Sequence, residues 1–324
     1  MDRPVLPSIS RLSKNVVRIL GQNPGKFTLQ GTNTYLIGQH RPFTLIDTGE
    51  GKPGYTALLE SALRETWSTS NVGELDISDI VISHWHGDHV GGLPSVLSLL
   101  QRLWTERNGS ALFAPPRLHK FPAPPIATHH SYPRVINSLI PGSYTPSPQG
   151  SPFHDLHEGQ ILASQIHVLH TPGHTIDSLA LYLPSDRALY TADTVLGHGT
   201  AVFEDLGTYI SSLRRMLDFP GYTILYPGHG PVVEDGRRVI TTYINHRLAR
   251  EAEIVGILKT LRPAGEAEWT TWEVVKTIYV EHPPSVWEPA ARGVTLHLRK
   301  LEGEGRVKRL GGQGKDSRWK FIAE

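Results

Sequence analysis

The sequence predicts an α/β fold in which helices cover sheets, followed by a smaller helical domain. Eight short apolar runs, rich in β-branched residues and ending in turn or polar residues, indicate strands in the first two thirds of the chain. Three segments, at 54–67, 93–104 and 206–219, have apolar spacing near the helical period. With 324 residues, 39% of them hydrophobic, the chain can build a sizeable core from these elements.

Several of the eight predicted strands end at residues that could bind a metal ion or take part in catalysis. They are "NVVRIL" (15–20), "NTYLIG" (33–38), "PFTLIDTG" (42–49), "DIVISH" (79–84), "QIHVLHTPGH" (165–174), "LALYLP" (179–184), "ALYTAD" (188–193) and "TILYPGHG" (223–230). "NVVRIL" is predicted to be the first strand of the fold.

The stretch from 105 to 155 interrupts this alternation and is dense in Pro, Ser and His. It is predicted to be an irregular excursion over the functional site rather than a separate domain. For the histidines in or beside it, a surface role is favoured over metal binding: His119, His129, His130, His154 and His157.

The residue pattern changes near residue 235, from short strand-like runs to longer helical patterns. This change predicts two domains, 1–235 and 236–324. The second part has helical patterns at 236–262, 270–280 and 291–310, and possible wing strands at 307–312 and 317–323. Helices with a terminal wing resemble winged-helix architecture, and residues 292–320 carry nine Lys or Arg against three acids. This surplus is modest and contains no run of bases, so nucleic-acid binding is not favoured. The domain could wall a substrate cleft, contact an acidic partner or serve as a structural cap.

Composition narrows the classes of function. With 32 basic and 31 acidic residues the net charge is +1, which gives no overall attraction to nucleic acid or anionic membranes. Cysteine is absent, so disulfides and thiolate ligands are excluded, and any metal must be held by imidazole and carboxylate. No segment approaches about 18 consecutive apolar residues or looks like a secretory signal, so a cytoplasmic protein is expected.

The heptapeptide "SHWHGDH" at 83–89 indicates a metal site. It follows the predicted strand 79–83 and precedes a helix, so His84, His86, Asp88 and His89 are expected in the connecting loop. Two histidines two residues apart in extended backbone can face one ion, while the next two side chains emerge in another direction. One ion cannot readily use all four, which predicts a binuclear site.

Three more ligands are found at later strand ends, in "HTPGHT", "YTADTV" and "YPGHG". The predicted first ion is held by His84, His86 and His174, the second by Asp88, His89 and His229, and Asp193 bridges them. Any one of these residues alone is more often a packed or surface residue, but the ordered set favours metal binding. Zn²⁺ suits nitrogen-rich ligation, and the carboxylates leave Mn²⁺ or Fe²⁺ open.

This set of motifs resembles the metallo-β-lactamase superfamily over roughly residues 15–235. The resemblance implies a four-layer αβ/βα sandwich with two divalent ions at the sheet edge. It also implies that Asp47 of "LIDTG" orients a ligand through a hydrogen bond. The scaffold serves several hydrolytic reactions, so the resemblance alone does not fix the substrate.

Further segments are similar to one subfamily of stand-alone thioesterases of fungal aromatic polyketide pathways. They are "NPGKFTLQGTNTYLIG", "LIDTGEGKP", "DTVLGHGTAVFEDLGTYISSL" and the C-terminal "VVKTIYVEHPPSVWEPAARGVTLHLRKLEGEGRVKR". The similarity implies hydrolysis of an atrochrysone-type polyketidyl thioester on the acyl carrier protein of a non-reducing synthase. A single-strand endoribonuclease with the same C-terminal domain and a non-catalytic binding protein are the alternatives, and seven intact ligands argue against the latter.

Roles are predicted for a few residues around the ligands. Asp88 is expected to be catalytic as well as a ligand, by orienting the attacking water or accepting its proton. His198 is a candidate substrate-binding residue beside Asp193, whereas His170 is expected to be a packing residue. The glycines of "HVGGLP" are expected to let the helix start approach the metal loop closely, without binding phosphate.

Overall fold

The computed structural model describes residues 4–65, 73–124, 131–260 and 268–322. The predictions for His129 and His130 lie outside the described residues. Within the described part, no helix combines the length and apolarity needed to cross a membrane.

A seven-stranded sheet forms the first half of the chain, with its strands in sequence order. The strands are β1 (Ile9–Arg11), β2 (Val16–Leu20), β3 (Asn33–Ile37), β4 (Phe43–Ile46), β5 (Ile77–Ile82), β6 (Arg117–Lys120) and β7 (Phe153–Asp155). Neighbours are antiparallel from β1 to β4 and parallel from β4 to β7. Strand β1 precedes the strand predicted to be first, and its three residues are too few to show an alternating pattern.

A second, four-stranded sheet has the order β11-β10-β9-β8. Its strands are β8 (His167–His170), β9 (Leu179–Leu183), β10 (Ala188–Ala192) and β11 (Ile224–Pro227). The helices of this part are α1 (Pro53–Arg64), α2 (Gly87–Val90), α3 (Leu93–Asn108), α4 (Ser131–Asn137), α5 (Leu206–Asp218) and α6 (Gly236–Leu258).

The two sheets pack face to face between two helical layers, as the alternation of buried side chains shows. In β3, Tyr35 and Ile37 face a core shared with the second sheet, whereas Leu36 faces the core beneath α1 and α3. The far face of the second sheet packs against α5 and the first half of α6. The four-layer sandwich expected from the resemblance is therefore confirmed.

The proline-rich stretch is more regular than predicted, because it contributes β6, β7 and α4. Short parallel strands lack a clear periodic signal, which is why composition suggested irregular structure. The surface role expected for His119 is wrong: the residue is 5% exposed and its Nε2 lies 2.7 Å from Asp79. His154 is half-buried and His157 is exposed.

The C-terminal region has its own core and a small three-stranded sheet. Its elements are β12 (Glu268–Thr270), α7 (Thr271–Ile278), α8 (Trp287–Gly303), β13 (Val307–Gly311) and β14 (Arg318–Phe321). Helix α6 contributes to both cores: Ile240 and Ile244 pack under the second sheet, whereas Ile254 and Leu258 pack with α7 and α8. The predicted boundary near 235 stays a prediction.

The loop after β4 and the start of α3 touch without intervening side chains. A Cβ on Gly92 would lie 1.9 Å from the carbonyl oxygen of Thr48, and the Gly92 amide donates to the carbonyl of Gly49 at 2.8 Å. The carbonyl of His89 accepts a hydrogen bond from the Thr48 amide at 2.8 Å. Gly92 therefore sets how closely the loop after β4 approaches the heptapeptide 83–89, as predicted for these glycines.

Gly92→Ala is expected to lower the free energy of unfolding by roughly 1–3 kcal/mol, because backbone atoms must move apart to admit the methyl group. Denaturant titration measures the change. Gly256→Ala is the matched control, since nothing lies within 4 Å of a Cβ there and the residue is inside α6. It is expected to stabilise the protein by about 0.5–1 kcal/mol. Equal effects of the two substitutions would contradict the close approach at Gly92.

Candidate metal centre

Four strands deliver the seven predicted ligands to one edge of the sandwich. His84 and His86 follow β5, His174 follows β8, Asp193 follows β10 and His229 follows β11. Asp88 and His89 were expected in a loop but lie in the single turn of α2, which begins at Gly87. The turn separates their direction from that of the two preceding histidines.

The side chains of His84, His86, His174 and Asp193 form what is called here the first group. One ligand atom from each lies within 4.8 Å of the others. His86 Nδ1 is 3.0 Å from both His84 Nε2 and His174 Nε2, which are 3.3 Å apart. Asp193 Oδ2 is 3.7 Å from His174 Nε2.

The second group consists of Asp88, His89 and His229, whose ligand atoms also lie within 4.8 Å of one another. His229 Nε2 is 3.1 Å from Asp88 Oδ2 and 3.4 Å from His89 Nε2. Asp193 joins the groups, since its Oδ2 is 3.2 Å from His229 Nε2 and its Oδ1 is 3.3 Å from His89 Nε2. The structure thus brings all seven predicted residues together, with Asp193 between the groups.

Hydrogen bonds fix which imidazole nitrogens face the centre with a free lone pair. His174 Nδ1 donates to the carbonyl of Val202 at 2.8 Å, which leaves Nε2 as the acceptor in the neutral ring. Ser83 Oγ donates to Asp47, so it accepts from His84 Nδ1 at 3.0 Å. Two lone pairs at His84 Nε2 and His174 Nε2 therefore face each other, an arrangement that a cation between them would stabilise.

Asp193 offers a second observation that fits a cation. Its Oδ1 atom is buried and accepts no hydrogen bond from the described residues. A Cβ on Gly228 would lie 2.4 Å from this oxygen and 3.0 Å from His89 Cε1, so glycine keeps the space beside both side chains open. The only polar contact of Asp193 Oδ1 among the described residues is the ion pair with His89 Nε2 at 3.3 Å, which lacks hydrogen-bond geometry, and a metal ion would satisfy this buried oxygen more fully. The clusters fit a binuclear metal site.

Asp47 supports the second group from beneath. Its carboxylate accepts hydrogen bonds from the Ser83 amide at 2.8 Å, from Ser83 Oγ at 2.7 Å, from His89 Nδ1 at 2.7 Å and from the Tyr190 hydroxyl. Asp47 is fully buried and has the left-handed backbone angle φ = 59°. The contact with His89 orients that ring, as the resemblance implied for Asp47.

The two groups have opposite electrostatic character. Burial lowers the pKa of His84 and His174, and it lowers the pKa of His86 to about 3, with neighbouring imidazoles adding to the effect on His84 and His86. These three rings are neutral at pH 7. They are ready to donate lone pairs without first losing a proton.

In the second group, neighbouring carboxylates raise the pKa of the histidines instead of leaving it lowered. Burial lowers the pKa of His89 and His229, but Asp88 and Asp193 outweigh it, so the pKa of His89 rises well above its usual value and that of His229 rises to about 9. Burial likewise raises the pKa of both carboxyl groups, but the two imidazoles hold it well below the usual range. Without metal, the second group is a set of ion pairs.

A cavity of about 450 Å³ opens beside the first group. Its lining includes His86 and His174, an apolar set and three charged residues; the apolar set is Phe27, Ala201, Val202, Phe203 and Leu296, and the charged residues are Glu204, Arg247 and Arg292. Phe27 and Val202 are 70% and 57% exposed, which is unusual for large apolar side chains. Asp88 borders a neighbouring cavity, which Phe27 also lines.

Sequence reasoning missed several residues around the site. Thr32 donates to Asp88 at 3.2 Å, and Tyr190 donates to Asp47, but isolated Thr and Tyr residues carry no signal. Arg247 lies on α6, far from the ligands in sequence. His170 stacks on Phe121 with ring centroids 3.7 Å apart, which agrees with the predicted packing role.

His198 is brought less close to the site than its neighbour Asp193. The side chain of His198 is exposed and is not among the described residues that line the 450 Å³ cavity. Its role in substrate binding stays a prediction.

Comparison with known proteins gives the family. Residues 27–229, more than half of the chain, match the model of the metallo-β-lactamase superfamily. The chain belongs to this superfamily. Residues 270–319 match the β-lactamase-associated winged helix domain. Proteins of this superfamily are typically hydrolases, in keeping with the two groups of candidate metal ligands.

Two relatives of this metallo-β-lactamase family member span almost the whole chain. The Beta-lactamase-like protein 2 homolog of Drosophila melanogaster is 37% identical over 309 residues, which are 94% of this chain and 93% of that protein. An atrochrysone carboxyl ACP thioesterase of Aspergillus chevalieri is 35% identical over 308 residues, 94% of this chain and 86% of that enzyme. The resemblance predicted from the motifs is confirmed.

A solved structure shows the same fold. The β-lactamase domain protein of Burkholderia ambifaria superposes with a TM-score of 0.69 at 18% identity, and the match covers 98% of this chain and 95% of that chain. The metallo-β-lactamase sandwich with a C-terminal winged helix is therefore confirmed as the fold.

Asp47→Asn is expected to lower the binding affinity of one of two metal ions by about 10- to 100-fold. The reason is that an amide cannot accept all the hydrogen bonds that hold His89. Metal analysis after dialysis is then expected to give about one ion per chain instead of two. Asp79→Asn is the matched control, since Asp79 is also buried and also lies 2.7 Å from a histidine, His119, outside the site. Loss of both ions in Asp47→Asn, or of one in Asp79→Asn, would contradict this.

Metal uptake by this member of the superfamily is expected to release about two protons at pH 7, one each from His89 and His229. The pKa of His229 is raised to about 9 and that of His89 well above its usual value, so both rings hold a proton at pH 7 and must lose it to bind metal. Affinity should therefore rise with pH up to that range. Calorimetric titration of Zn²⁺ in buffers of different ionisation enthalpy measures the protons, and their absence at pH 7 would contradict the assignment.

Proposed function

We propose that this chain is a metal-dependent thioesterase that hydrolyses a polyketidyl thioester on an acyl carrier protein and releases a carboxylic acid. The observation that carries the proposal is the cavity of about 450 Å³, where histidines of the first group lie beside apolar side chains. An acyl chain needs an apolar surface, and its carbonyl needs an electrophile nearby.

The ligand assignment is part of the proposal. Residues of the first group would hold one ion and those of the second group the other, with Asp193 lying between the two groups. When bound, such ions supply Lewis acidity, which lowers the pKa of water toward neutrality and polarises a carbonyl. Zn²⁺ is favoured by the five imidazoles, with Mn²⁺ or Fe²⁺ as alternatives.

The chain's own residues then provide orientation. Thr32 donates to Asp88 Oδ2, which fixes the carboxylate beside the second group. Asp88 is 22% exposed at its side chain, so it is accessible to solvent from the neighbouring cavity. We assign it the role of orienting the attacking water and accepting its proton.

The apolar lining supports an acyl substrate over a small polar one. Phe27 and Val202 present exposed apolar surface at the cavity, and Phe203 and Leu296 continue it inward as less exposed residues. Burying such surface under an acyl chain contributes about 25 cal/mol per Å². The 35% identity to a fungal protein named as an acyl-carrier thioesterase supports the same substrate class.

The alternative, a single-strand endoribonuclease, is less well supported by the C-terminal domain. In a winged helix the last helix before the wing enters the DNA groove. Here that helix is α8, and its Arg292, Gly293 and Leu296 line the cavity together with His86. The helix is therefore used as a wall of the cleft.

Ion pairs also reduce the basic surplus of residues 292–320. Lys300 lies 2.8 Å and Arg306 3.6 Å from carboxylate oxygens of Glu251. Lys315 and Arg318 pair with Glu288 and Glu268 at 3.3 and 3.4 Å. These three acids lie outside the segment, so they offset half of its surplus of six positive charges.

The test compares hydrolysis of an acyl thioester on an acyl carrier protein with cleavage of single-stranded RNA, by the metal-loaded and the metal-depleted protein. We expect thioester hydrolysis that depends on metal, and no RNA cleavage. His86→Ala should reduce kcat by more than about 1,000-fold, because it removes a ligand that faces the substrate cavity.

The matched control is His157→Ala, which changes an exposed histidine outside the cluster and should leave the rate unchanged. RNA cleavage without thioester hydrolysis would overturn the proposal in favour of the alternative. Unchanged thioester hydrolysis by metal-depleted His86→Ala would overturn the metal-dependent mechanism itself.

A further inference from the structure

We infer that Arg247 and Arg292, called here the arginine pair, bind an oxyanion of the substrate at a position away from the bond that is cleaved. The oxyanion is a carboxylate or a phosphate. The inference rests on the proposed function and deepens it, since it adds a charged group to the apolar acyl substrate.

Arg247 is held in place before any substrate arrives. It extends from α6, its Nη2 donates to the carbonyl of Ala201 at 2.9 Å, and its guanidinium carbon lies 4.7 Å from the centre of the Phe203 ring. A hydrogen bond and an aromatic contact together fix the plane of the guanidinium group. Its Nε atom is buried and has no hydrogen-bond partner among the described residues.

The arginine pair lacks the carboxylates that neighbouring arginines have. On α6, Arg238 lies 3.2 Å from Asp235 and Arg250 lies 2.7 Å from Glu253. Within the described part of the chain, Arg247 and Arg292 form no ion pair with a carboxylate. Arg247 is half-buried, and its guanidinium without an anion is unfavourable, whereas Arg292 is exposed; an anion bound at Arg247 would remove the deficit.

The arginine pair carries most of the charge among the side chains that line the cavity. Glu204 is an acidic residue in the lining, so the three charged side chains still carry a positive sum. His86 and His174 line the same cavity. One substrate can therefore contact the first group through its carbonyl and the arginine pair through an oxyanion.

Guanidinium groups select carboxylate and phosphate because their planar fork matches two oxygen atoms. A thioester substrate offers this chemistry on either side of the sulfur. The acyl group can carry a carboxylate, and the pantetheine arm of a carrier protein carries a phosphate. Both sources present the same anion to the arginine pair.

The experiment uses two pairs of substrates that differ only in charge. Glutaryl-N-acetylcysteamine and pentanoyl-N-acetylcysteamine test an acyl carboxylate, whereas butyryl-phosphopantetheine and butyryl-pantetheine test the phosphate. We expect the unsubstituted protein to prefer the charged member of one pair by about tenfold or more in kcat/KM, as a charge-assisted hydrogen bond supplies. The pair that shows the preference identifies the source.

Arg247→Gln and the double variant with Arg292→Gln are expected to abolish this preference, measured as the ratio of kcat/KM between the two members of each pair. Arg247→Lys should keep part of it, because the charge remains and the fork is lost. Arg250→Gln is the control on the same helix, where the side chain pairs with Glu253 and does not line the cavity. Equal turnover of both members of each pair, or a preference that survives in the double variant, would overturn the inference.

Binding separates this inference from the proposed function. Glutarate has an anionic group that butyrate lacks, and phosphopantetheine has one that pantetheine lacks, so the charged member of one of these pairs should raise the melting temperature of the metal-loaded protein more than its partner does. The difference should vanish in the double variant. If no thioester is hydrolysed but this difference is seen, only the proposed function fails; if glutarate binds no better than butyrate and phosphopantetheine binds no better than pantetheine, the arginine inference fails.

Discussion

The buried carboxylate of Asp47 is the contact on which the arrangement of the site depends. It lies just after β4, yet its partners come from β5, α2 and β10, so one side chain links both sheets where they meet the ligands. Such a group is stable only with every acceptor site used, because a buried unpaired charge is costly. The same hydrogen bonds that satisfy Asp47 fix His89, and the Ser83 hydroxyl that donates to Asp47 also fixes the tautomer of His84. Folding and preparation of the centre are therefore one process.

The seven candidate ligands could be identified from the sequence because each follows a strand with a strong apolar signal, five of them in the loop after it and Asp88 and His89 in the turn of α2. Strand order was not needed, since the ends of β5, β8, β10 and β11 all point to one edge. The supporting contacts could not be predicted, because Tyr190 and Ser83 look like ordinary strand residues until the partner strand is known. Arg247 was missed for another reason: its role depends on how α6 packs against the loop at Ala201. Strands β6 and β7 were not predicted, because prolines and short length hide their pattern.

The winged helix of this chain shows how one architecture can be used in two ways. Its core of buried Trp, Val and Leu residues is independent of the site. The outer face of α8, however, is turned toward the metal edge, and its Arg292 and Leu296 belong to the cleft. A basic helix next to a wing is therefore weak evidence for nucleic-acid binding when its neighbours in the fold are unknown.

Helix α6 places one uninterrupted rod of 23 residues through both hydrophobic cores. A rod of this kind transmits displacement along its axis, because its backbone hydrogen bonds resist bending. A load applied at the wing, for instance by a docked protein, would reach Arg247 and hence the cleft without any hinge in between. The far end of the molecule is in this way joined to the substrate entrance by a single helix.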